Sequence, residues 1–486
     1  MRVAIVAAEL GPYAKAGGLA DVIGALPQAL ARQGVETSVI VPGYRALLEK
    51  LSTTVVADGF AITMGSAREP YRVLRADGTG GVAIYLIEHA GFFDRDGIYG
   101  EREIYPDNNR RYIFFGRAAT SAAELIRPDV LHAHDWHAAP ATIAIRADAA
   151  LRAKFTSTLS TFTIHNVAFQ GIIAPTEYPL LGIDPSWFTV EYLESFGNAN
   201  LMKGAIILAD GVSTVSPTYA YEIAHDTTLG FGLDDVLRAK GDRFVGILNG
   251  ADYTEWDPAH DRLIPKPYSP RDRVNKKLCL DLLREDLKLP HPPKEQPVPM
   301  IGMVTRMTAQ KGLDILAEAL DAIMALGLQL VMLSSGDPAL ERLFLDAERR
   351  YPNQLRVILG FDDAMAHRIQ AAANTFLMPS QFEPCGLTQM YALKYGTVPV
   401  VRATGGLRDT ITEFDPKTMT GNGFLFTPYT AEALTGALER AIAVYRRPNQ
   451  WSRLMGNCFK SDFSWDRAAA EYVEWFERLR REGGSI

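Results

Sequence analysis

Short apolar runs alternate with longer amphipathic stretches along most of the chain. Residues 2–9 read RVAIVAAE, and similar runs return as ETSVIVP at 36–42, VAIYLIE at 82–88, STLSTFTIHN at 157–166 and GVSTVSP at 211–217. The stretches between them, such as GGLADVIGALPQALARQG at 17–34, have the apolar spacing of helices. Such alternation predicts a parallel sheet with helices on both faces. The first part of the chain is therefore predicted to be a doubly wound α/β domain.

The rhythm breaks after residue 243 and restarts near residue 300. FVGILNGADYTEWDP at 244–258 is followed by a charged, proline-rich stretch that ends in PHPPKEQPVP at 290–299, and MIGMVTR, LQLVMLSS, LRVILG, NTFLMPS and TVPVVRA then follow. This predicts a second α/β domain. The last segment predicts one amphipathic helix whose packing residues are Trp465, Tyr472, Trp475 and Phe476. The predicted division is 1–248, 249–458 and a terminal helical segment, 459–486, that crosses back to the first domain.

Composition excludes several classes of protein. The 486 residues carry a net charge of -7 without a long basic block, which argues against nucleic acid or an acidic membrane as a partner. No apolar run approaches the length of about 18 residues that a transmembrane helix needs, and the first run stops at Glu9, so it predicts a strand rather than a secretory signal. Cys279, Cys385 and Cys458 form no close pair, which fits a reducing cytoplasm. The oligomeric state stays open.

Charged residues and glycines follow the predicted strands. Open parallel sheets bind ligands beyond the carboxyl ends of their strands. The tripeptide GGL stands at such a place twice, at 17–19 and at 405–407. Glycine lets a backbone approach an anion closely, and a helix N-terminus stabilises it. Each GGL is predicted to form part of one wall of a cleft between two Rossmann-like domains.

Six motifs in one order carry a resemblance to a known family. They are KAGGLADV, HAHDWH, HNVAFQG, ILNGADYTEWDP, RMTAQKG and FEPCGLTQ, and they extend over nearly the whole chain. Together they resemble the bacterial glycogen synthase and starch synthase family, whose members are retaining glucosyltransferases of the two-domain GT-B fold. The combination is far more specific than any one motif.

The resemblance implies roles for particular residues. Arg306 and Lys311, with Lys15, are expected to bind the diphosphate of the donor, and Glu383 to face its sugar. His165 is expected to hydrogen-bond the donor glucose, with its backbone carbonyl near the reacting carbon. Asp135 is expected to bind the acceptor or donor sugar. Further substrate-binding residues are expected to be Gly17, Gly18, Asp21, Asn166, Asn249, Gln310, Phe361, Cys385, Gly386, Leu387, Thr388, Thr404, Gly405 and Gly406.

The resemblance also implies a reaction. Glucose passes from ADP-glucose to the 4-hydroxyl of glycogen or another α-1,4-glucan with retention at the anomeric carbon, and the leaving phosphate takes the hydroxyl proton. No metal or other cofactor is expected, because the cations neutralise the diphosphate. ADP-glucose rather than UDP-glucose is expected because the motifs look bacterial and no long amino-terminal extension is present.

Other interpretations of the same residues are less favoured. Asp94 and Asp96 form a DxD triplet that holds a metal in other glycosyltransferases, yet here it stands in a Gly/Phe loop. In HAHDWH, His132 and His134 share a strand face whereas His137 falls on the next helix, so one metal site for all three has poor geometry. These histidines are therefore expected to be structural. A nucleophilic Cys385 lacks a nearby histidine. Tyr99, Asp107 and Asn108 are expected at most to approach the acceptor.

Small departures from the family pattern leave two further functions open. Ala16 stands where Thr is common, Tyr221 where Arg is frequent, and Phe361 where Tyr often faces the base. The last change puts base recognition in doubt, although an aromatic face remains. A related transferase with a small sugar-phosphate acceptor would need an additional cationic pocket on the first domain. A catalytically silent glucan-binding protein would have no need for the diphosphate cations.

Overall fold

The chain is divided into two units in the computed structural model, which describes residues 1–101, 103–293 and 295–483. One unit contains residues 1–250 and 465–483, and the other contains residues 251–464. The first division thus falls after residue 250 rather than 248. Residues 459–464 belong to the second unit, whereas 459–486 was predicted as one segment, and residues 484–486 lie outside the described residues.

The first unit is built on a mostly parallel sheet. The strands are β1 (Arg2–Val6), β2 (Glu36–Pro42), β3 (Thr54–Met64), β4 (Ala67–Asp77), β5 (Ala83–Glu88), β6 (Val130–His134), β7 (Leu159–Ile164), β8 (Ile172–Ile173), β9 (Glu194–Ser195), β10 (Asn198–Asn200), β11 (Gly211–Thr214) and β12 (Phe244–Gly246). Among the described residues, nine of them form one sheet in the order β12-β11-β7-β6-β1-β2-β5-β4-β3, and β8, β10 and β9 form a small separate sheet.

Helices connect these strands, as the alternation predicted. They are α1 (Gly18–Arg32), α2 (Arg45–Leu48), α3 (Ala90–Phe93), α4 (Asn108–Ala122), α5 (Asp135–Ala147), α6 (Ala149–Lys154), α7 (Leu201–Leu208), α8 (Pro217–His225) and α9 (Asp234–Ala239). Short 3-10 turns occur at Thr79–Gly81, Ala123–Leu125, Tyr178–Leu181, Pro185–Trp187 and Gly241–Arg243. The doubly wound α/β architecture is confirmed for this unit.

Strand β1 lies at the centre of the sheet. Its register pairs Ile5 with Val39 of β2 on one side and with His132 of β6 on the other. Residues 3–6 are fully buried, which explains why this strand is an unbroken apolar run rather than an alternating one. Because β1, β6 and β7 are parallel neighbours, the loops after them emerge at one edge of the sheet.

The edge hairpin of β3 and β4 was not predicted. Strand β4 pairs antiparallel with β3 on one side and with β5 on the other. Much of the surface of β3 and β4 is exposed. A half-exposed antiparallel edge has a mixed polar sequence, so it lacks the apolar run that marks the buried parallel strands.

The second unit repeats the alternation on a smaller scale. Its six described strands are parallel, in the order β15-β14-β13-β16-β17-β18. The strands are β13 (Met300–Met307), β14 (Gln329–Gly336), β15 (Leu355–Leu359), β16 (Thr375–Met378), β17 (Val398–Arg402) and β18 (Phe424–Phe426). The helices are α10 (Val274–Asp286), α11 (Leu313–Ala325), α12 (Pro338–Arg350), α13 (Asp363–Ala372), α14 (Thr388–Lys394), α15 (Gly405–Thr410), α16 (Ala431–Tyr445) and α17 (Pro448–Lys460), with a 3-10 turn at Ala309–Lys311.

The terminal helix α18 (Trp465–Glu482) belongs to the first unit. The four aromatic residues predicted for packing are all buried. Tyr472, Trp475 and Phe476 surround the ring of His132 at 5.3–6.2 Å between ring centroids. The helix also lies close to Gly211, where an added Cβ would collide with Leu479. The predicted return of the terminal helix to the first domain is therefore confirmed. Among the described residues, none of the helices is long and apolar enough to span a bilayer.

Candidate active-site residues

The loop after β1 is organised by a buried carboxylate. Glu9 is 3% exposed, and its Oε2 accepts hydrogen bonds from the backbone amides of Ala16 and Gly17 at 2.8 and 2.9 Å. Its Oε1 accepts a third from the Tyr99 hydroxyl at 2.7 Å. The first GGL loop was predicted to offer such amides to an anionic ligand. In the structure the Gly17 amide is bound to Glu9, because the carboxylate occupies the inner side of the loop.

Lys15 stands on the outer side of the same loop. Its Nζ lies 2.7 Å from Oδ1 of Asp21, in the first turn of α1, and both side chains are partly exposed. An exposed ion pair of this kind contributes little to stability, about 0–1 kcal/mol. Lys15 is therefore a cation held in place at a strand end rather than a structural element.

Strands β6 and β7 place Asp135, His165 and Asn166 together. Asp135 begins α5 directly after β6 with a φ of 58°, a left-handed conformation that is rare outside glycine. Its Oδ1 accepts the backbone amide of His165 at 2.7 Å, and the backbone amide of Asn166 also bonds to this carboxylate. Burial raises the pKa of Asp135 to about 7, although these two amides act in the opposite direction. Asp135 thus holds the turn that carries the His-Asn pair.

A chain of neutral imidazoles lies behind His165. Its Nε2 is 2.9 Å from Nδ1 of His134, and the His134 ring is 4.2 Å from the ring of His132. Burial lowers the pKa of His165 and of His132 to about 3 and that of His134 well below its ordinary value. His165 is therefore neutral at physiological pH and is a hydrogen-bonding group rather than an acid.

The other members of HAHDWH separate as predicted. His137 stacks on Tyr99 at 4.6 Å between centroids, whereas His132 packs against α18 and donates to or accepts from Thr163 at 2.5 Å. Among the described residues the three histidines of the motif do not form a group of metal ligands. His134 is more than a packing residue, however, because it touches His165.

In the second unit, β13 and β16 bring Lys311 to Glu383. The Lys311 Nζ is 2.7 Å from Oε2 of Glu383, across 72 residues of sequence. Ser380 donates its hydroxyl to the same oxygen at 2.9 Å. Glu383 is 6% exposed. Its Oε1 accepts no hydrogen bond from the described residues, so one carboxylate oxygen remains for a ligand.

The second GGL loop packs directly on the FEPC segment. Gly405 has a φ of 44°, and an added Cβ would collide with the carbonyl oxygen of Glu383. A Cβ on Gly406 would collide with the carbonyl oxygen of Cys385. The Gly406 amide donates to the Glu383 carbonyl at 3.2 Å. The loops after β16 and β17 are thus joined backbone to backbone, and only glycine fits at these positions.

Arg306 and Phe361 are exposed near the carboxyl ends of β13 and β15, two strands that are separated by β14. Arg306 lies near the end of β13, and its guanidinium forms no ion pair with any described residue. Phe361 follows β15, and its side chain is 85% exposed. Gln310 instead serves the loop itself, because its Nε2 donates to the Phe382 carbonyl at 3.2 Å. An uncompensated cation and an open aromatic face on one sheet edge are features of a ligand site.

The remaining predicted residues have local roles. Gly386 has a φ of 68° at the turn into α14, and Thr388 bonds to the sulfur of Met378 at 3.2 Å. Helices α14 and α15 contain seven and six residues. Cys385 is buried. Asn249 is also buried, and its Oδ1 has no hydrogen-bond partner among the described residues. Leu387 and Thr404 precede α14 and α15.

The DxD triplet is bound by an arginine. Arg45 places Nε 2.6 Å from Asp94 and Nη1 2.8 Å from Asp96. In the same segment, Asp107 pairs with Arg95 at 2.7 Å, and Asn108 donates to the Tyr99 carbonyl. These carboxylates therefore already have cationic partners.

Sequence reasoning missed Glu9, Ser380 and the contact between His134 and His165. A charged residue directly after an apolar strand was the one available signal for Glu9, and it was used only to end the apolar run. Nothing in the local pattern distinguishes Ser380 from any other turn serine.

Comparison with known proteins identifies the family of the chain. The family model for the starch synthase catalytic domain matches residues 2–239, and the model for glycosyl transferases group 1 matches residues 286–453. The chain is 41% identical to a glycogen synthase of Anaeromyxobacter sp. (strain Fw109-5), over 99% of both chains. It is 42% identical to glycogen synthase 2 of Geobacter sulfurreducens, over 97% of both.

Solved structures give the same answer for the fold. The catalytic domain of starch synthase IV from Arabidopsis thaliana, bound to ADP and acarbose, is similar with a TM-score of 0.89 and 32% identity, over 99% of each chain. A sucrose-phosphate synthase from Thermosynechococcus elongatus, 18% identical with a TM-score of 0.59, shares the fold. The predicted GT-B fold class and the predicted family are both confirmed. The chain belongs to the glycogen synthase and starch synthase family, and it is a glucosyltransferase.

Proposed function

We propose that this glucosyltransferase moves glucose from ADP-glucose to the 4-hydroxyl at the non-reducing end of an α-1,4-glucan such as glycogen, with retention of configuration. The observation that carries the proposal is the arrangement of Arg306, Lys311 and Glu383 on adjoining strand ends of the second unit. A cation bound to a carboxylate that keeps one open oxygen, with a second cation on the strand that leads into the loop of the first, matches a diphosphate joined to a sugar. The relative solved with ADP bound supports adenine as the base.

The charges of the leaving group determine the roles of the cations. A nucleoside diphosphate departs with about two to three negative charges, which fixed cations or a metal ion must balance. Arg306 supplies a guanidinium that matches phosphate oxygens with two parallel N–H bonds. Lys311 is oriented by Glu383 and keeps two N–H donors for the ligand. The family resemblance also assigns a diphosphate contact to Lys15.

By the family resemblance, a contact with the donor sugar is proposed for Glu383 and, separately, for the His165 turn. Glu383 Oε1 accepts a hydroxyl of the donor glucose, because Oε2 already binds Lys311 and Ser380. The neutral His165 imidazole bonds another hydroxyl, and its carbonyl stabilises the positive charge that develops at the anomeric carbon. Asp135 contributes by holding the His165 amide, so this carbonyl keeps its direction.

The reaction then needs no protein nucleophile. The bond between the anomeric carbon and the phosphate oxygen breaks, and the 4-hydroxyl oxygen attacks the same face. Its proton passes to the departing phosphate, and ADP leaves. In this proposal no metal ion takes part, since the cations balance the charge. A cytoplasmic location belongs to the proposal too, because the cysteines at 279, 385 and 458 are buried thiols in the described chain.

A small sugar-phosphate acceptor is less favoured. It would need an additional cationic pocket in the first unit. Arg45 and Arg95 contact the segment around Asp94, Asp96 and Asp107, and both are already paired with these carboxylates. A catalytically silent glucan-binding protein is also less favoured, because binding a neutral glucan does not require the cations Arg306 and Lys311.

The test is to incubate the protein with glycogen and either ADP-glucose or UDP-glucose, and to measure nucleotide release and the linkage of the product. We expect faster release with ADP-glucose and a new α-1,4 linkage by NMR. Faster transfer from UDP-glucose overturns the choice of nucleotide. A β linkage overturns retention, and absence of transfer from either donor overturns the catalytic proposal.

A further inference from the structure

A second cluster of reactive side chains lies within the unit of residues 251–464. It consists of Glu255, Asp363 and His367, and none of these is assigned to the reaction. One ligand atom from each lies within 4.8 Å of the ligand atoms of the other two. Within the described chain this is the one group of three or more His, Cys, Asp or Glu side chains that is this compact. The carboxylates are exposed, whereas His367 is 1% exposed.

The His367 ring is fixed in one orientation. Its Nδ1 is 2.8 Å from Oδ2 of the buried Asp261, and the Tyr395 hydroxyl donates to that same oxygen at 2.5 Å. Trp256 stacks on the ring, with 3.6 Å between centroids and 16° between planes. In the neutral ring, Nδ1 donates its hydrogen to Asp261, so Nε2 carries the lone pair.

That second nitrogen is left without a partner. Nε2 of His367 is buried and makes no hydrogen bond with any described residue. Buried polar atoms are normally satisfied, and each exception calls for an explanation such as an ion or a water. A carboxylate that holds one imidazole nitrogen while the other is open is the usual arrangement behind a metal-binding histidine.

The chain brings both carboxylates to this imidazole. Asp363 is the first residue of α13, and His367 follows four residues later on the same helix face. Side chains of a helix lean towards its N-terminus, so the His367 ring is directed towards the turn that carries Asp363. Glu255 directly precedes Trp256, whose ring lies on His367.

We propose that Glu255, Asp363 and His367 bind one divalent transition-metal ion, with Zn²⁺ as the preferred ion. One imidazole with two carboxylates is a ligand set for Zn²⁺, whereas Mg²⁺ and Ca²⁺ prefer oxygen ligands alone. Water completes the tetrahedron.

Binding requires only a small adjustment. Ligand atoms at about 2.0–2.2 Å from Zn²⁺ lie roughly 3.3–3.6 Å apart in a tetrahedron. The exposed carboxylates therefore have to move inwards by about 1.5 Å at most, which a change of rotamer accomplishes. The ion joins residues near the start of this unit to the first turn of α13, so it stabilises the folded state through linkage.

The experiment uses the full chain after treatment with EDTA and removal of the chelator. Zn²⁺ and Mg²⁺ are titrated separately by calorimetry, and thermal unfolding is followed with and without each ion. We expect saturable binding of one Zn²⁺ per chain, a higher unfolding midpoint with Zn²⁺, and neither effect with Mg²⁺. Glu255→Gln and Asp363→Asn should each weaken Zn²⁺ binding by at least about tenfold. Both residues are exposed, so these variants are expected to fold.

The chain offers a matched control. His291 lies 3.9 Å from both Asp281 and Glu285, but this histidine is exposed and has no buried nitrogen aimed at a ligand. Glu285→Gln should therefore leave Zn²⁺ binding unchanged. The proposal is overturned if the protein binds no Zn²⁺, if Mg²⁺ binds equally well, if Glu285→Gln is the variant that abolishes binding, or if Glu255→Gln and Asp363→Asn both bind like wild type. None of these readouts depends on glucosyl transfer.

Discussion

The two GGL loops have the same sequence and different structural reasons for it. At Gly18 an added Cβ would meet no atom of the described chain within 4 Å, and at Gly17 the nearest is Oε1 of Glu9 at 3.9 Å. At Gly405 and Gly406 an added Cβ would collide with backbone carbonyls. The first loop is shaped by a carboxylate that binds its amides, and the second by a neighbouring loop packed against it. A tripeptide motif therefore identifies a position in the fold but not the force that requires glycine there.

The largest expected effect separates the two loops by stability. Gly405→Ala should lower the free energy of unfolding by roughly 2–5 kcal/mol, because it adds a collision with the Glu383 carbonyl to a left-handed φ. Gly18→Ala should leave it unchanged or raise it by less than about 1 kcal/mol, since alanine favours a helix start with open space. Urea denaturation measures both. Equal destabilisation by the two changes would contradict the contrast.

The cations beside the loops should matter for catalysis rather than for folding. Lys15→Ala and Arg306→Ala each remove a charge-assisted contact worth about 1.5–3 kcal/mol in the proposed complex. That corresponds to a loss of roughly 10- to 150-fold in kcat/KM for ADP-glucose, measured at saturating glycogen. Arg342→Ala, which removes an exposed arginine on α12, is the control with wild-type activity. Wild-type kinetics in either Lys15 or Arg306 variant would remove that cation from the site.

A smaller effect concerns pH and Asp135 in the first unit. Its pKa is raised from 3.8 to about 7 by burial, so the folded protein holds this proton more tightly than the unfolded chain does. This contribution to stability is fully present below pH 3.8 and is lost as the pH rises towards about 7. Asp135→Asn keeps the shape and tolerates the positive φ, yet it cannot titrate.

Denaturation at a series of pH values tests this. The fall in unfolding free energy between about pH 4 and pH 7 should be less steep in Asp135→Asn than in wild type. Identical slopes in the two proteins would mean that Asp135 titrates normally.

At the DxD triplet, we expect substitution of the two aspartates to have no measurable effect on donor binding. Arg45 already balances Asp94 and Asp96, so Asp94→Asn with Asp96→Asn should leave the affinity for ADP-glucose close to wild type. Transfer should persist in excess EDTA, because the diphosphate is assigned to Lys15, Arg306 and Lys311. Turnover that stops in EDTA and returns with Mg²⁺ or Mn²⁺, together with lost donor binding in the double variant, would move the diphosphate to a metal.

Much of the fold follows from local physics that a sequence displays. The buried parallel strands are predicted by their unbroken apolar runs, and α18 by the spacing of its four aromatic residues. The hairpin of β3 and β4 could not be predicted in this way, because a strand at an exposed sheet edge needs no apolar run. The candidate site residues could be proposed for a related reason: ligands bind beyond the carboxyl ends of parallel strands, and strand ends can be found from hydrophobicity alone.

Partners that are distant in sequence could not be predicted in this way. Glu383 is held by Lys311 across 72 residues, and His367 by Asp261 across 106. The local sequence around these residues does not indicate either pair, because the fold determines which acidic and basic side chains come into contact.

The sequence by itself determined the succession of strands and helices, the family, and the residues that stand at strand ends. Hydrophobic periodicity and turn chemistry act over a few residues, so they can be recognised in the amino-acid sequence. Only the tertiary structure decided that Glu9 binds the amides of the first GGL loop, that the second loop packs on the FEPC backbone, and that Nε2 of His367 is buried without a hydrogen-bond partner among the described residues. These contacts depend on the order of strands within each sheet and on how closely the loops pack, which long-range burial sets and no short stretch of sequence encodes.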